Sequence, residues 1–368
     1  MLTVWAIDPA RLRRGHLKVT ACTAVLRDAD VGTYSVTAAD DDLAERVRDG
    51  WRLAIQDGTA TLLSGPVTGV SPDLAAHTVT FSGVSDLIYL EDRLTYPDPA
   101  AAAEAQTAAA YYVRTGPAET VIRDLIHLNA GTGALADRQV GGLTVTTSQG
   151  RGATVKTNLR MKNLLEEARA LGRLGGVTFD AVQEASGQIV VRFRVPRDLS
   201  RSVRFTDRNG GVEDGTYALH APTATTVLVG GQGEGTARTI IERAQVSTWG
   251  RRIEVFKDQR DTNDAAQLEQ SATEQLAEGA AAATASFSVE ESPGRVFGLD
   301  FLLGDTVSVD LGAATISEPV RSVELAWDGY GRTASLALGD HDQADDKTPA
   351  WVTRIRRLDA RVRDMEVQ

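Results

Sequence analysis

The chain has 368 residues with a formal net charge of -11, 24% charged and 42% hydrophobic residues, and a single cysteine. That length allows two or three domains with cores of their own, while the acidic balance weighs against a general nucleic-acid binder, which needs a dense basic surface, and leaves room for a local basic patch. One cysteine excludes an intrachain disulfide and a cysteine-based zinc site, and no apolar run approaches the ~20 residues that span a bilayer.

The first hundred residues read as all-β. "MLTVWAIDPARLRRG" places an apolar strand before its charges, the reverse of a signal peptide. "HLKVTACTAVL", "GTYSVTA", "WRLAIQ", "ATLLSG" and "HTVTFSG" follow as short runs with partial period-two alternation, broken by Gly, Pro and Asp. Their spacing predicts a small barrel or sandwich over residues 1–98. Cys22, inside an alternating run, reads as a small buried strand residue rather than a reactive thiol. "ADDDLAERVRDG" predicts one or two helical turns stopped at Gly50, and "AAAEAQTAAA" an exposed helical stretch within a linker, residues 99–116.

Residues 117–205 mix helix and strand. "GPAETVIRDLIHLNAG" carries Pro117 in the first turn and Val121, Ile122, Leu125 and Ile126 on one face. "NLRMKNLLEEARALG" repeats the pattern with Leu164, Leu165, Ala168 and Leu171 inward and Gly172 past its end. "GVTFDAVQ" and "GQIVVRFRVP" are joined by "EASG" as a hairpin. Strands return over 206–345, interrupted by one helix, "DAAQLEQSATEQLAEGA". The last segment, 346–368, differs in kind. Trp351, Ile355, Leu358, Val362 and Met365 are spaced four, three, four and three, an a/d seam of about two heptads. So short a helix is marginal alone. It packs on copies of itself, on a partner, or back onto its own domain.

Chemistry-bearing motifs are sparse. "TTVLVGGQGEGTAR" has Gly231 and Gly233 but Thr236 where a dinucleotide fingerprint needs its third glycine, so it reads as a bulged connection between strands. His16, His77, His127, His220 and His341 have no metal-ligand spacing. There is no Gly-x-Ser-x-Gly or His-Glu-x-x-His, and "DQRDTND" and "DHDQADD" do not fit an EF-hand. No catalytic, cofactor or metal residue is assigned, although a glycosidase pair of carboxylates leaves no spacing signature.

One stretch occurs twice. "GWRLAIQDGTATLLSGPVTGV" from Gly50 matches "GDTVSVDLGAATISEPVRSVEL" from Gly304. Gly58 falls on Gly312 and, with one residue of slack, "PVTGV" falls on "PVRSV". The fold class is therefore a β-rich α+β chain. It has two tube-like β-barrel modules, an inserted small α/β unit and a C-terminal heptad helix. Two related modules per chain would convert a threefold assembly into a quasi-sixfold one.

"GTYSVTA", "LLSGPVTGV", "LEDRLTYPDP", "APTATTVLVGGQGEG" and "VFGLDFLLGDTVSVD" with "PVRSVELAWDGYGRTASLALG" resemble the tail hub proteins of long-tailed phages, in particular minor tail proteins of phages infecting actinobacteria. The resemblance runs from the first strand to about residue 340. It implies a homotrimeric ring in the virion, made in the host cytoplasm. The ring would match the distal tail or tail tube protein above and carry tip or fibre proteins below, with the tape-measure protein and DNA passing its channel. It implies a structural role without enzyme activity, cofactor, stable nucleic-acid binding or membrane span. Many such hubs carry an added peptidoglycan-degrading domain, for which the residues after the heptad seam leave no room. The rival reading is a cell-wall glycan hydrolase or carbohydrate-binding module, which requires a deep cleft with paired carboxylates and stacked aromatics. A third is a cytoplasmic β-rich scaffold.

Overall fold

The structure is a computed structural model. It describes residues 2–206, 212, 214–289, 291–310, 315–329 and 331–339. The chain divides into two compact units, residues 1–215 with 286–337, and residues 216–285 with 338–368.

In the first unit every strand read from the opening hundred residues is present: Leu2–Ile7, Val19–Arg27, Thr33–Ala39, Arg52–Asp57, Ala60–Asp73 and Thr78–Val84. Alternation does what the pleat requires. Tyr34, Val36 and Ala38 are buried while Thr33 and Ser35 face out, and Cys22, Ala24 and Leu26 are buried on the neighbouring strand. Burial pushes the Cys22 thiol up to about 12. The Asp-rich segment forms only a 3-10 turn, Ala44–Arg46, fixed by Asp41 Oδ1 accepting the Leu43 and Ala44 amides at 3.1 Å each. The alanine-rich segment likewise gives one 3-10 turn, Ala103–Ala105. There Gln106 Nε2 donates to the carbonyls of Asp98 and Ala101 at 2.8 Å each, holding the chain as a compact loop.

The strands of residues 1–98 and the distant strand Thr315–Asp328 share one sheet. Arg13–His16, Leu2–Ile7 and Arg52–Asp57 lie side by side and meet the first half of Ala60–Asp73. Its second half continues into Thr78–Val84, Thr33–Ala39 and Val19–Arg27, and the next strand is Thr315–Asp328. Among the described residues no barrel closes. The edge of Val19–Arg27 is occupied by the distant strand, from Arg27 opposite Ser322 to Cys22 opposite Trp327. Alternation reports which face is buried; it carries no information about which edges meet.

The α/β part packs helices Ala118–Asn129 and Leu164–Gly175 on the hairpin Thr178–Gln183 and Ile189–Arg194. Pro117 precedes the first helix and Asn163 caps the second, its side chain accepting the Glu166 amide at 3.1 Å. Gly172 does not end that helix. It lies inside, where an added Cβ would come 2.6 Å from the Val177 carbonyl oxygen. The stop is Gly176, at φ 68°.

The second unit holds a three-stranded sheet, Ile240–Ala244, Thr226–Gly230 and Glu254–Asp258, with helix Ala265–Glu278 on one face. Val227, Val229, Leu268 and Ala272 form its core. Asp264 caps the helix, accepting the Ala266 amide at 2.9 Å. The glycine-rich segment is the connection between two of these strands, as its missing third glycine implies, with the Gly231 amide donating to Thr239 O at 2.8 Å.

Ala60–Asp73 passes closest to its neighbours at Gly65, where an added Cβ would lie 1.9 Å from Val84 O. At Gly83 the same addition would meet the Tyr34 ring at 2.1 Å. The Tyr34 hydroxyl donates to Gly65 O at 3.1 Å. Gly65→Ala is therefore expected to destabilise the fold by about 3 kcal/mol and Tyr34→Phe by about 1 kcal/mol, read from urea denaturation midpoints. Equal, small losses for both would contradict the close approach.

Candidate functional site

The repeated stretch folds as two hairpins of one design. In the first, Arg52–Asp57 turns into Ala60–Asp73 with Arg52 opposite Pro66. In the second, Thr306–Asp310 turns into Thr315–Asp328 with Thr306 opposite Pro319. Gly50 and Gly304 open them at φ 79° and 78°. The amide of Val67 donates to Trp51 O at 3.0 Å, and that of Val320 to Asp305 O at 2.9 Å. The residue of slack is also visible. Gln56 faces Thr61 and Ile55 faces Leu63, leaving Leu62 as a bulge. The second hairpin pairs Asp310 with Thr315 and Val309 with Ile316 without one.

Ion pairs and hydrogen bonds around buried carboxylates tie these hairpins to residues of the α/β part. Arg52 and Asp86 pair where their side chains are 4% and 0% exposed. Arg52 also donates through Nε to Gln183 Oε1 at 2.8 Å and through Nη1 to the Tyr89 hydroxyl at 2.6 Å. Ser64 donates to Asp86 at 2.6 Å and accepts the Gln183 amide at 2.6 Å, so one cluster spans the first hairpin and Thr178–Gln183. Burial pushes the Asp86 carboxyl up, opposed by the charge of Arg52. Asp28, at the end of Val19–Arg27, is contacted by Arg321 from the second hairpin and by the Thr178 hydroxyl. Asp305 accepts Arg194 Nη1 at 2.9 Å and Arg197 Nη2 at 2.7 Å. Burial pushes its carboxyl up, but the Arg197 hydrogen bonds and the Arg194 charge outweigh this and hold it low.

These residues carried no signal in the sequence, because their partners lie far along the chain. Asp28 and Arg321 are 293 residues apart, Arg52 and Gln183 131. The seam residues Trp351, Ile355, Leu358, Val362 and Met365 lie outside the described residues, as does "DHDQADD". In "DQRDTND", Asp258 pairs with Arg238 and Arg260, and Asp264 is the helix cap. The His16 ring lies against that of Trp5, with centroids 3.7 Å apart and planes tilted by 43°. Among the described residues no group of His, Cys, Asp and Glu is placed to hold a metal ion, and no helix is long and apolar enough to cross a membrane.

A cleft of about 380 Å³ opens where the first hairpin, Thr178–Val182 and the loop 297–303 meet. Three carboxylates border it. Asp28 is held as above and Asp30 pairs with Arg169, leaving Asp180. Its aromatic residues are Phe179, Phe193 and Phe297, and the cleft does not show the free carboxylate pair that glycan hydrolysis would use.

A family model described as Siphovirus ReqiPepy6 Gp37-like protein matches residues 1–340. Three solved structures share the fold at low identity. The 43 kDa tail protein of prophage MuSo2 from Shewanella oneidensis is 12% identical with TM-score 0.58, covering 93% of this chain and 99% of that one. The tail protein from Neisseria meningitidis MC58 is 11% identical with TM-score 0.57, covering 92% and 97%. Prophage tail protein gp18 from Listeria monocytogenes EGD-e is 12% identical with TM-score 0.54, covering 97% and 98%. No curated protein matches the chain.

Removing one partner of the buried pair leaves the other's charge without its counter-ion. Arg52→Met should cost about 3–5 kcal/mol. In a double-mutant cycle with Asp86→Asn the coupling should be at least about 1 kcal/mol; a coupling near zero would show the pair to be inert. Glu119, in the first turn of its helix, gives a pH test. Its side chain is fully buried and accepts Arg151 Nε and Nη2 at 3.0 and 2.8 Å. Arg151 holds the carboxyl down at about 2, against an ordinary value of 4.5. A depressed acid stabilises the fold above its unfolded value, and that contribution disappears as pH falls towards the folded one. Glu119→Gln should therefore lose at most about 3 kcal/mol at pH 7. The gap to the parent should close between pH 4.5 and about 2, which denaturation series at several pH values would show.

Proposed function

Because the chain belongs to the Siphovirus ReqiPepy6 Gp37-like family, a family of siphovirus tail proteins, we propose that it is the hub of the tail tip. In this reading three copies form a ring that adapts the sixfold tail tube or distal tail ring to the threefold tip, and that forms or closes the channel for DNA or the tape-measure protein. The observation that carries it is the pair of hairpins in one register, Arg52 opposite Pro66 and Thr306 opposite Pro319. Two equivalent elements per chain give six around a threefold axis.

Residues 1–98 and 206–345 supply the two tube-like modules and 117–205 the inserted α/β part, joined by the linker 99–116. The seam Trp351, Ile355, Leu358, Val362 and Met365 joins the three chains as a helix at 346–368. Tail tube or distal tail protein binds above, tip or fibre proteins below, and the place of action is the virion, after synthesis in the bacterial cytoplasm. The role is mechanical. In the cleft Asp28 and Asp30 are committed to arginines, which leaves Asp180 without a second free carboxylate there and supports the mechanical reading over a glycan hydrolase.

Light scattering over a concentration series should return three times the mass of one chain. Leu358→Asp should reduce that mass while the circular dichroism of the β-rich body is unchanged. A monomer at every concentration, or a variant that assembles as the parent does, would count against the ring and the helix respectively.

A further inference from the structure

Arg11 is held in a backbone conformation that its own side chain disfavours. It sits in the turn between Leu2–Ile7 and Arg13–His16 at φ 65°, left-handed for a residue that carries a Cβ. Its amide donates to Asp8 O at 2.8 Å. The Asp8 amide donates to Leu12 O at 3.0 Å, and the Asp8 carboxylate accepts the Leu12 amide at 2.9 Å. Gln183, buried and bound by Arg52, donates to Arg11 O at 3.1 Å. Glycine would take this conformation without strain, so the turn itself does not account for an arginine. Strain that the surroundings impose on a residue of this kind gathers at functional sites.

The Arg11 side chain lies over the turn Gly141–Gly142. A Cβ added at Gly141 would come 2.5 Å from Arg11 Nη2, and one at Gly142, where φ is 68°, would overlap Nη1. Two successive glycines thus leave room for the guanidinium. It makes no hydrogen bond or ion pair with a described residue, and its three nitrogens reach water. The acids around it are committed elsewhere. Asp8 pairs with Arg14 and Glu184 with Arg192, while Asp86, which feels the Arg11 charge, is bound by Arg52 and Ser64. Beside the guanidinium, the amides of Gly141 and Gly142 also donate to no described residue.

An accessible guanidinium with all its N–H groups unspent, next to two unspent amides, is a receptor for an oxyanion. Its single positive charge, with Asp8, Asp86 and Glu184 close by, suits a monoanion, whereas a phosphate dianion would bring a charge that those acids repel. A carboxylate carries one charge, is planar, and meets the fork of a guanidinium with two parallel bonds. We propose that Arg11 and the Gly141–Gly142 turn bind a carboxylate group, presented by an aspartate or glutamate side chain of a partner protein. In the hub reading that partner is another tail protein. The site itself is complete within one chain and does not rest on the ring.

The test is saturation-transfer NMR on the full chain with N-acetyl-aspartic acid N-methylamide as probe, its asparagine analogue as control and inorganic phosphate as competitor. The aspartyl probe should saturate with a Kd on the order of 10 mM, as suits one bidentate contact, and the asparagine probe should bind at least about tenfold more weakly. Arg11→Gly should weaken the aspartyl probe at least about tenfold without lowering the urea midpoint, because the strain leaves with the side chain. A merely structural arginine would lower the midpoint and leave binding unchanged. Arg11→Lys, which keeps the charge and loses the fork, should weaken binding too, and serves if the glycine variant does not fold. Arg201→Gln, at an exposed arginine elsewhere on the chain, should leave binding as it is. Equal binding of the two probes, undiminished binding in Arg11→Gly, displacement of the aspartyl probe by phosphate below about 1 mM, or no saturation up to about 100 mM would each overturn the proposal. A trimer that binds no carboxylate overturns this inference alone, and a monomer that binds one overturns the ring alone.

Discussion

A strand that changes partner halfway along its length sets the geometry of the first unit. Ala60–Asp73 pairs with Arg52–Asp57 up to Pro66 and with Thr78–Val84 beyond it. Thr315–Asp328 pairs with Thr306–Asp310 up to Pro319 and with Val19–Arg27 from Ser322. Both changes come just after a proline, which has no N–H to continue a ladder. The change lets one sheet bend into two directions, and it brings the chain so close to its neighbour at Gly65 that no side chain fits. The second halves of these strands are spent on other partners, and among the described residues no barrel closes.

The charge distribution follows from the same geometry. An excess of acid is spread over the sequence, yet inside the first unit Asp28, Asp86, Asp305 and Glu119 each meet an arginine. Such pairs contribute less to stability than their number implies, because each ion must leave water. Their value here is in specification. Arg52 satisfies Gln183, Tyr89 and Asp86 at once, and a displaced hairpin would leave all three unmet.

The sequence made the repeat legible because it is written in glycine and proline, the residues whose backbone demands are local. Even the slack of one residue was readable, although not that it would be a bulge at Leu62. The α/β helices were legible from Pro117 and the apolar spacing, while the end of the second was misplaced at Gly172, since a glycine kept for close packing looks the same as one kept for a turn. Barrel closure was not legible, because it depends on edges. The cleft and two of the ion pairs were not legible either, being assembled from residues more than a hundred positions apart, as Asp28 is from Arg321 and Arg194 from Asp305. Cys22 is buried as its place in an alternating strand predicts, since a small residue there answers to local pattern alone.

That cysteine has a practical side. Cys22 is 2% exposed and its thiol is raised to about 12, so near neutral pH almost none of it is the thiolate that reacts with alkylating reagents. The folded chain is therefore expected to react with maleimides far more slowly than an exposed thiol does. A cysteine placed on an outward strand position, such as Ser35 or Ser82, would be the sole site to take a spin label, a fluorophore or a crosslinker. Distances between identical labels would then report the arrangement of copies around an axis in solution.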